Sequence, residues 1–461
     1  MTWAVRVVRN RYADSVRLMA VARDVRELPG VDGCEIGIGT PANLKVLDRL
    51  GASVDDASPA DVVIAVDARD GAGEDALDEA ERAIAAAPDD EGSAPDRAAP
   101  RSLVATDAGL ALISVPGDYA ALAGHQALTR GMDVLMFSDN VSVDAEVELK
   151  RRAVGKGRLM MGPDCGTALL DGVGLGFMNV VRRGPVGIVA AAGTGAQEVA
   201  CLLDAAGVGV SEVIGVGGRD LSAEVGGLMF RAGIDRLARD DGTETLLLVS
   251  KPPDAQVVGR LADALPTDKR VVVAFVGPRL EAPFEVHDTL EGGACAAAGV
   301  KPPSVDDLEH LVDERRGEGM VLALYSGGTL CHEAAAILGG GHRVMDLGAD
   351  EYTRGRPHPM VDPGTRIEKL EEAAGDDDVG CVLIDVVLGY AGHPDPAGAI
   401  APAVARVARR VPVIARVCGT AGDPQDADAQ TERLRAAGAI VAPSNAAAAR
   451  LAARAVSGAP A

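Results

Sequence analysis

The sequence predicts an α/β protein built from successive doubly wound parallel sheets, and three observations carry that prediction. Strand-like and helix-like runs alternate along most of the 461 residues, a length that suits three domains of ordinary size. Apolar residues make up 48% of the chain and aromatics 2%, so the core must be built from Val, Leu, Ile and Ala, as layered α/β proteins build theirs. Two runs, Val186-Gly-Ile-Val-Ala-Ala-Ala-Gly193-Thr194-Gly195 and Met320-Val-Leu-Ala-Leu-Tyr-Ser326-Gly327-Gly328-Thr329, repeat one device. Each is an apolar strand, a turn of small residues with a threonine, and a helix that opens at once.

The elements follow in order. Val5 to Val8 is a strand, Asp14 to Val25 a helix, and the stretch from Cys34 to Gly39 a strand. Gly39-Thr-Pro-Ala-Asn43 turns into a helix through Leu50, and Asp61 to Val66 is a third strand. The segment near 85–101, with Ala87-Pro-Asp-Asp-Glu-Gly-Ser-Ala-Pro-Asp96 at its centre, has few apolar residues to bury and is expected to be disordered. Order resumes with strands at Leu110–Val115, Asp133–Phe137 and Leu159–Met161, separated by helices. The alternation predicts a parallel sheet with helices on both faces across 1–182, and Gly172 to Phe177 leads out of it. A second unit, 183–300, places strands near Val186, Val213, Thr245 and Val271. Residues 301–317, with Pro302-Pro303 and a charged run, read as a linker or surface helix. A third unit, 318–461, places strands near Met320, Val344, Val379, Val411 and Ile440.

Net charge is −23, which argues against non-specific binding of nucleic acid. No apolar run reaches a bilayer span, and Met1-Thr-Trp-Ala-Val-Arg lacks the layout of a secretory signal, so a cytoplasmic protein without a membrane partner is expected. Seven scattered Cys with no CxxC predict reduced thiols and no metal site. An acidic protein that binds anions must do so with local devices. The two small-residue turns are such devices, because a helix start presents unpaired N–H groups and the positive end of its dipole. Gly193, Thr194 and Gly195, with Ser326, Gly327, Gly328 and Thr329, are therefore the candidate ligands of a phosphate or acyl phosphate. An ordinary tight βα turn is the plain alternative. Neither run is a Walker loop or a dinucleotide fingerprint.

Four side chains join them as catalytic candidates. Arg219 lies on Gly215-Val-Gly-Gly-Arg-Asp220, beyond a strand end, where open α/β sheets place ligands. Arg356 and His358 share the Pro-stiffened loop Arg354-Gly-Arg-Pro-His358-Pro, which follows Asp346-Leu-Gly, and His393 lies beyond the strand Cys381 to Leu388. Asp385 interrupts that apolar strand and must be paired or face a ligand. His332, inside the second helix start, reads as packing.

Six words resemble the FdrA family in the same order: Gly39-Thr-Pro-Ala-Asn43, Met136-Phe-Ser-Asp-Asn140, Met161-Gly-Pro-Asp-Cys-Gly-Thr167, Gly217-Gly-Arg-Asp-Leu-Ser222, Gly355-Arg-Pro-His-Pro-Met360 and His393-Pro-Asp-Pro-Ala397. The resemblance runs from the N-terminus to about Pro443. It implies a relative of NDP-forming succinyl-CoA synthetase: an N-terminal Rossmann-like CoA-binding-type domain, then two flavodoxin-like domains of the α- and β-subunit ligase type. In that superfamily two glycine-rich helix starts bracket a phosphohistidine, and the matching positions here are 193–195 and 326–329. The word that would hold the histidine, Leu290-Glu-Gly-Gly-Ala-Cys-Ala-Ala-Ala298, has none, and His287 lies outside it. The CoA turn of the first domain is replaced by Gly37-Ile-Gly-Thr-Pro-Ala-Asn43, and the length leaves no room for an ATP-grasp module.

The resemblance implies phosphate-dependent acyl or carbamoyl transfer of the oxamate carbamoyltransferase type, in allantoin and oxalurate breakdown, by an oligomer working with partner subunits. Phosphate or carbamoyl phosphate and a small acid would be substrates, with no further cofactor. A second reading is an NDP-forming acyl-CoA ligase subunit using CoA and ATP or ADP, and a third is a scaffold subunit without catalysis.

Overall fold

The computed structural model describes residues 3–9, 11, 15–54, 56–58, 60–69, 71–85, 107–277, 282–353 and 356–456. The segment expected to be disordered near 85–101 lies almost wholly outside them. The chain forms two compact units, Met1–Thr106 with Thr353–Pro357, and Asp107–Tyr352 with His358–Ala461. Among the described residues no helix is long and apolar enough to cross a membrane.

The first unit runs β1 (Trp3–Val8), α1 (Ser15–Arg26), β2 (Val31–Ile38), α2 (Pro41–Leu50), β3 (Val62–Ala68) and α3 (Ala72–Ala85). The elements expected there form, but they do not join a parallel sheet extending to residue 182. The sheet order is β1-β3-β2, and β3 runs antiparallel to both neighbours. The α1 crossover leaves a gap one strand wide between β1 and β2, and β3 fills it in the opposite direction, a split βαβ arrangement. Sequence pattern misses this because β3 is covered on both faces. Val62, Ile64 and Val66 pack with Leu18, Val21 and Leu77 of α1 and α3, while Val63 and Ala65 pack with Leu47 of α2. A strand buried on both faces reads as a continuous apolar run whichever way its neighbours point.

The second unit contains three sheets. The smallest is parallel, β4 (Leu110–Ile113), β5 (Asp133–Met136) and β6 (Met160–Met161), with α4 (Gly117–Thr129) and α5 (Val143–Gly155) as crossovers. The chain then forms a hairpin, β7 (Thr167–Leu170) and β8 (Val173–Gly176). The glycine-rich passage out of the first expected domain is thus a strand, and the hairpin joins the edge of the next sheet.

That sheet continues with β9 (Arg183–Ala190), α6 (Gly193–Ala205), β10 (Val210–Gly215), α7 (Leu228–Ala238), β11 (Thr245–Ser250), α8 (Ala255–Ala262), β12 (Arg270–Phe275), β13 (Val286–His287) and α9 (Leu290–Ala298). The charged linker region contains α10 (Asp306–Asp313), whose Val312 is buried and whose Asp313 pairs with Arg454 at 2.7 Å. The last sheet follows: β14 (Met320–Tyr325), α11 (Gly328–Leu338), β15 (Arg343–Asp346), α12 (Asp350–Thr353), α13 (Gly364–Ala373), β16 (Val379–Val387), α14 (Pro396–Val407), β17 (Val413–Cys418), α15 (Ala427–Ala436), β18 (Ile440–Ala442) and α16 (Asn445–Val456).

The two large sheets have one topology. The order β10-β9-β11-β12-β13 and the order β15-β14-β16-β17-β18 are both second-first-third-fourth-fifth, all parallel, the flavodoxin-like order. One core joins the lobes, running from Val186, Val199 and Ala294 to Val321, Leu330 and Ala447–Ala449. Many of its members are alanine, which lets helices approach closely.

A buried charge cluster ties the small sheet to the first large one. The Lys150 ammonium donates to Glu146 Oε1 and Asp220 Oδ1, both at 2.7 Å, and to the Val216 carbonyl at 2.9 Å. Asp220 in turn accepts the Met229 and Phe230 N–H groups at the start of α7. Removing one partner strands the others in a medium that cannot solvate them. Lys150→Met is expected to lower unfolding free energy by about 3–5 kcal/mol. Lys369→Met, which breaks a solvent-facing pair with Glu372, costs about 1 kcal/mol or less. Denaturant melts of both variants check the contrast.

Candidate functional site

Strand β9 ends at Ala190, and the turn Ala191–Ala192 delivers the chain into α6 at Gly193; β14 ends at Tyr325, and Ser326–Gly327 delivers it into α11 at Gly328. Neither helix start is closed by a side chain. By contrast Thr40 closes α2, Ser142 closes α5, Thr289 closes α9 and Asp395 closes α14. Ala192 and Gly327 are too small to cap, so the first-turn N–H groups keep their donor capacity and the dipole its positive end.

The two starts pack on each other. A Cβ on Gly195 would sit 2.8 Å from Thr329 Cγ2, and a Cβ on Gly327 would overlap the side chain of Thr194. Each threonine thus occupies space that a glycine leaves on the opposite helix. Gly327 has φ −154, an extended conformation open to any residue, so the requirement there is room rather than backbone freedom.

Four residues after each threonine stands a buried glutamate that reaches into the other lobe. Glu198 on α6 accepts the Asn445 N–H at the start of α16 and the Arg416 guanidinium at 3.0 Å. Glu333 on α11 accepts the Leu290 N–H at the start of α9 at 2.6 Å, and the Asn445 side-chain amide at 2.7 Å. Each helix therefore caps the final helix of the opposite lobe. Among the described residues no cation pairs with Glu333, and burial pushes its carboxyl up to about 7, with hydrogen bonds from Asn445 and Leu290 acting the other way.

The second turn is held from below. Asp385 accepts both the backbone N–H of Ser326 at 3.0 Å and its hydroxyl at 2.9 Å, and Arg366 donates to Asp385 through both terminal nitrogens. The charge expected to be paired is paired, and its partner Arg366 is a residue that sequence reading missed. The Ser326 N–H is engaged by a carboxylate, so Gly327, Gly328 and Thr329 are left to face a ligand.

Around the α11 start lie Asp346, Lys251 and His358. Positions one Cβ out from Gly328 lie 2.8 Å from Asp346 Oδ2 and 3.8 Å from Lys251 Nζ, and the same position on Gly348 lies 2.6 Å from His358 Nε2 and 3.3 Å from Asp346 Oδ1. Burial, then the nearby Arg366, hold the His358 imidazole down at about 4, so it is neutral at pH 7. Its Nδ1 accepts the Met360 N–H at 3.3 Å, which leaves Nε2 as the proton-bearing atom. His393 is tied to the same loop: its N–H donates to the Met360 carbonyl at 2.7 Å, and its Nδ1 accepts the Asp395 N–H at 3.0 Å.

The remaining candidates fall elsewhere. Arg219 donates to the Val141 carbonyl at 2.8 Å and pairs with Glu146 at 2.9 Å, so it belongs to the cluster around Lys150. Arg356 is exposed and lies in the segment that groups with the first unit. His332 Nε2 is buried beside Gly277. Lys251, which sequence reading also missed, follows β11 at the point where the strand order reverses, the usual ligand crevice of such sheets. That topological position is the signal that could have found it.

The turn at Gly37–Asn43 is built differently. Thr40 Oγ1 accepts the Asn43 N–H, the Asn43 amide donates to the Ile38 carbonyl, and Pro41 has no N–H to offer. It closes on itself and presents no comparable anion seat.

Two family profiles match the chain, one described as CoA-ligase over residues 324–455 and one described as "AllF, heavy metal-associated domain" over residues 1–100. The chain is similar to the uncharacterized protein YahF of Escherichia coli K12, 36% identical over 490 aligned positions covering 95% of each chain. It is also similar to the mitochondrial ADP-forming succinate–CoA ligase subunit alpha-2 of Trichomonas vaginalis, 30% identical over 37% of this chain and 57% of that one. Among solved structures, a dinucleotide-forming acetyl-coenzyme A synthetase 1 of Ca. Korarchaeum cryptofilum in complex with phosphate and ADP aligns at 14% identity and TM-score 0.31, over 77% of this chain and 84% of that one.

Residues 1–100 do not suit a soft metal. They contain no His and a single Cys, Cys34, which is fully buried with its thiol pushed up to about 12 by desolvation. Among the described residues no group of three His, Cys, Asp or Glu could hold a metal ion.

Two outcomes are expected from the helix pair. Gly327→Ala forces Thr194 aside and is expected to destabilise the protein by about 1–3 kcal/mol, read as a lower melting temperature. The Glu333 carboxyl keeps its proton in the folded chain up to about 7 but loses it near 4.5 when unfolded. Its contribution to stability therefore falls as pH rises from 4.5 to 7. Glu333→Gln removes that contribution, and melts across this range against the parent protein measure the difference in slope.

Proposed function

We propose that this chain, which belongs to the family of the Escherichia coli YahF protein within the succinyl-CoA synthetase superfamily, carries out phosphate-dependent acyl or carbamoyl transfer together with partner subunits. The observation that carries the reading is the pair of uncapped helix starts packed against each other in successive lobes. Such a pair supplies preorganised N–H donors to a phosphoryl group without a global positive field, as a protein of net charge −23 requires.

The reaction we assign is phosphorolysis of an N-carbamoylated acid such as oxalurate, and its reverse. A phosphate oxygen attacks the carbamoyl carbon, the C–N bond breaks, and the departing nitrogen takes a proton, giving carbamoyl phosphate and oxamate. Gly193, Thr194, Gly195, Gly327, Gly328 and Thr329 hold the phosphate. The departing nitrogen takes its proton from the attacking hydrogen phosphate; neutral His358 keeps its Nε2 proton and donates a hydrogen bond to the carbamoyl oxygen as charge develops there, and His393 holds the His358 loop through Met360. Arg219 is engaged by Glu146 and takes no part.

A second reading is favoured by the CoA-ligase match over residues 324–455: an NDP-forming acyl-CoA ligase subunit whose nucleotide-binding module is another polypeptide. One assay separates the two. The chain is combined with its partner proteins, oxalurate and phosphate, and carbamoyl phosphate is measured; CoA, ATP and an acid are tested in parallel. Carbamoyl phosphate formation without CoA is the expected result, and His358→Asn is expected to slow it by about 10²-fold. Phosphate or ADP release that depends on CoA, with no carbamoyl phosphate, transfers the assignment to the ligase reading.

A further inference from the structure

The surroundings of Lys251 differ from those of the other buried or half-buried cations. Lys150, Arg366 and Arg416 each hold a carboxylate within 3.0 Å. Lys251 is half-buried, follows β11 at its carboxyl end, and makes no hydrogen bond or ion pair with any described residue. Its ammonium lies beside Gly328, the first residue of α11, and so faces the positive end of that helix. A cation at a helix N-terminus is repelled by the dipole rather than attracted. Its charge also disfavours protonation of His332, after the larger effect of burial. His332 Nε2 is itself fully buried with no partner, beside Gly277. Asp346 is the nearest compensating charge, but it stands beyond ion-pair distance, and burial holds its carboxyl above the usual carboxylate range.

The α11 start, in contact with the α6 start, thus has beside it an ammonium with no partner among the described residues. A helix start and an ammonium side by side favour an anion between them. We propose that Lys251 is the cationic ligand of a phosphoryl group seated at the start of α11, and that it makes the seat selective for a dianion over a carboxylate. This rests on the reading of the helix pair as a phosphate site and assigns that site its charged side chain. A compact ammonium on a flexible stem suits a tetrahedral phosphoryl oxygen approached from the side. The helix N–H groups hold the remaining oxygens.

The test uses the full chain and inorganic phosphate as probe, with acetate as the monoanionic comparison, read as a shift in melting temperature and by titration calorimetry. Lys251→Met is the variant, and Lys251→Arg retains the charge. In phosphate-free buffer Lys251→Met is expected to melt above the parent protein, because an uncompensated repulsion is gone. With phosphate the order reverses: the parent is stabilised, Lys251→Met binds at least tenfold more weakly, and Lys251→Arg retains binding. Equal phosphate stabilisation of the parent and Lys251→Met overturns the assignment of Lys251 while leaving the helix pair as the site. No phosphate effect on the parent overturns both. Acetate stabilising the parent as well as phosphate does overturns the claimed selectivity.

Discussion

The contact between the α6 and α11 starts is the constraint on which the rest of the second unit depends. Two helix N-termini carry like partial charge and repel when brought together. Here they are forced into contact by steric fit, Thr194 against Gly327 and Thr329 against Gly195, and by the two glutamates that cross to the opposite lobe. A larger residue at either glycine displaces the threonine opposite, and any capping side chain at Ala192 or Gly327 consumes the donors. The small residues of both turns satisfy the two demands at once. The alanine-rich α9 and α16 serve the same geometry, since their close approach lets Glu333 and Glu198 reach the backbone they cap.

Where the charge sits follows from the same contact. Buried cations elsewhere are neutralised in place: Lys150 by Glu146 and Asp220, Arg366 by Asp385, Arg416 by Glu198. These pairs fix elements rather than bind ligands, and Asp385 shows how. It holds the Ser326 N–H and hydroxyl from beneath, so the turn is fixed before any ligand arrives. The protein thus separates the charges that hold the fold from the potential left at the helix starts, which an overall charge of −23 does not provide.

Much of this was readable in the chain and some was not, for physical reasons. Both strand–turn–helix devices follow from local pattern, because an apolar run ending in small residues leaves the backbone few alternatives. The nine strands expected in the two large sheets form, while β7, β8 and β13 are not among them. Strand direction in the first unit was not readable, since β3 is covered on both faces and its pattern carries no sign of its neighbours' orientation. Arg366 could be inferred only as an unnamed partner of Asp385, because the pairing joins α13 to β16 through space. Arg219 looked like an anion clamp on its turn, and only the structure shows Glu146 beneath it. Lys251 sits in a polar, proline-rich word, Ser250-Lys-Pro-Pro253, that reads as an ordinary loop until the sheet order is known.

The segment between the lobes has a further consequence. Residues 301–317, with α10 pinned by Arg454 on α16, connect two lobes of one topology within a single polypeptide. Had the lobes been separate chains, their contact would have to overcome the entropy of association at cellular concentration. A short covalent connection replaces that concentration with a local one in the millimolar range. The lobes therefore meet in fixed ratio and cannot exchange partners between molecules. The apposition of the two helix starts becomes an intramolecular equilibrium that dilution does not disturb.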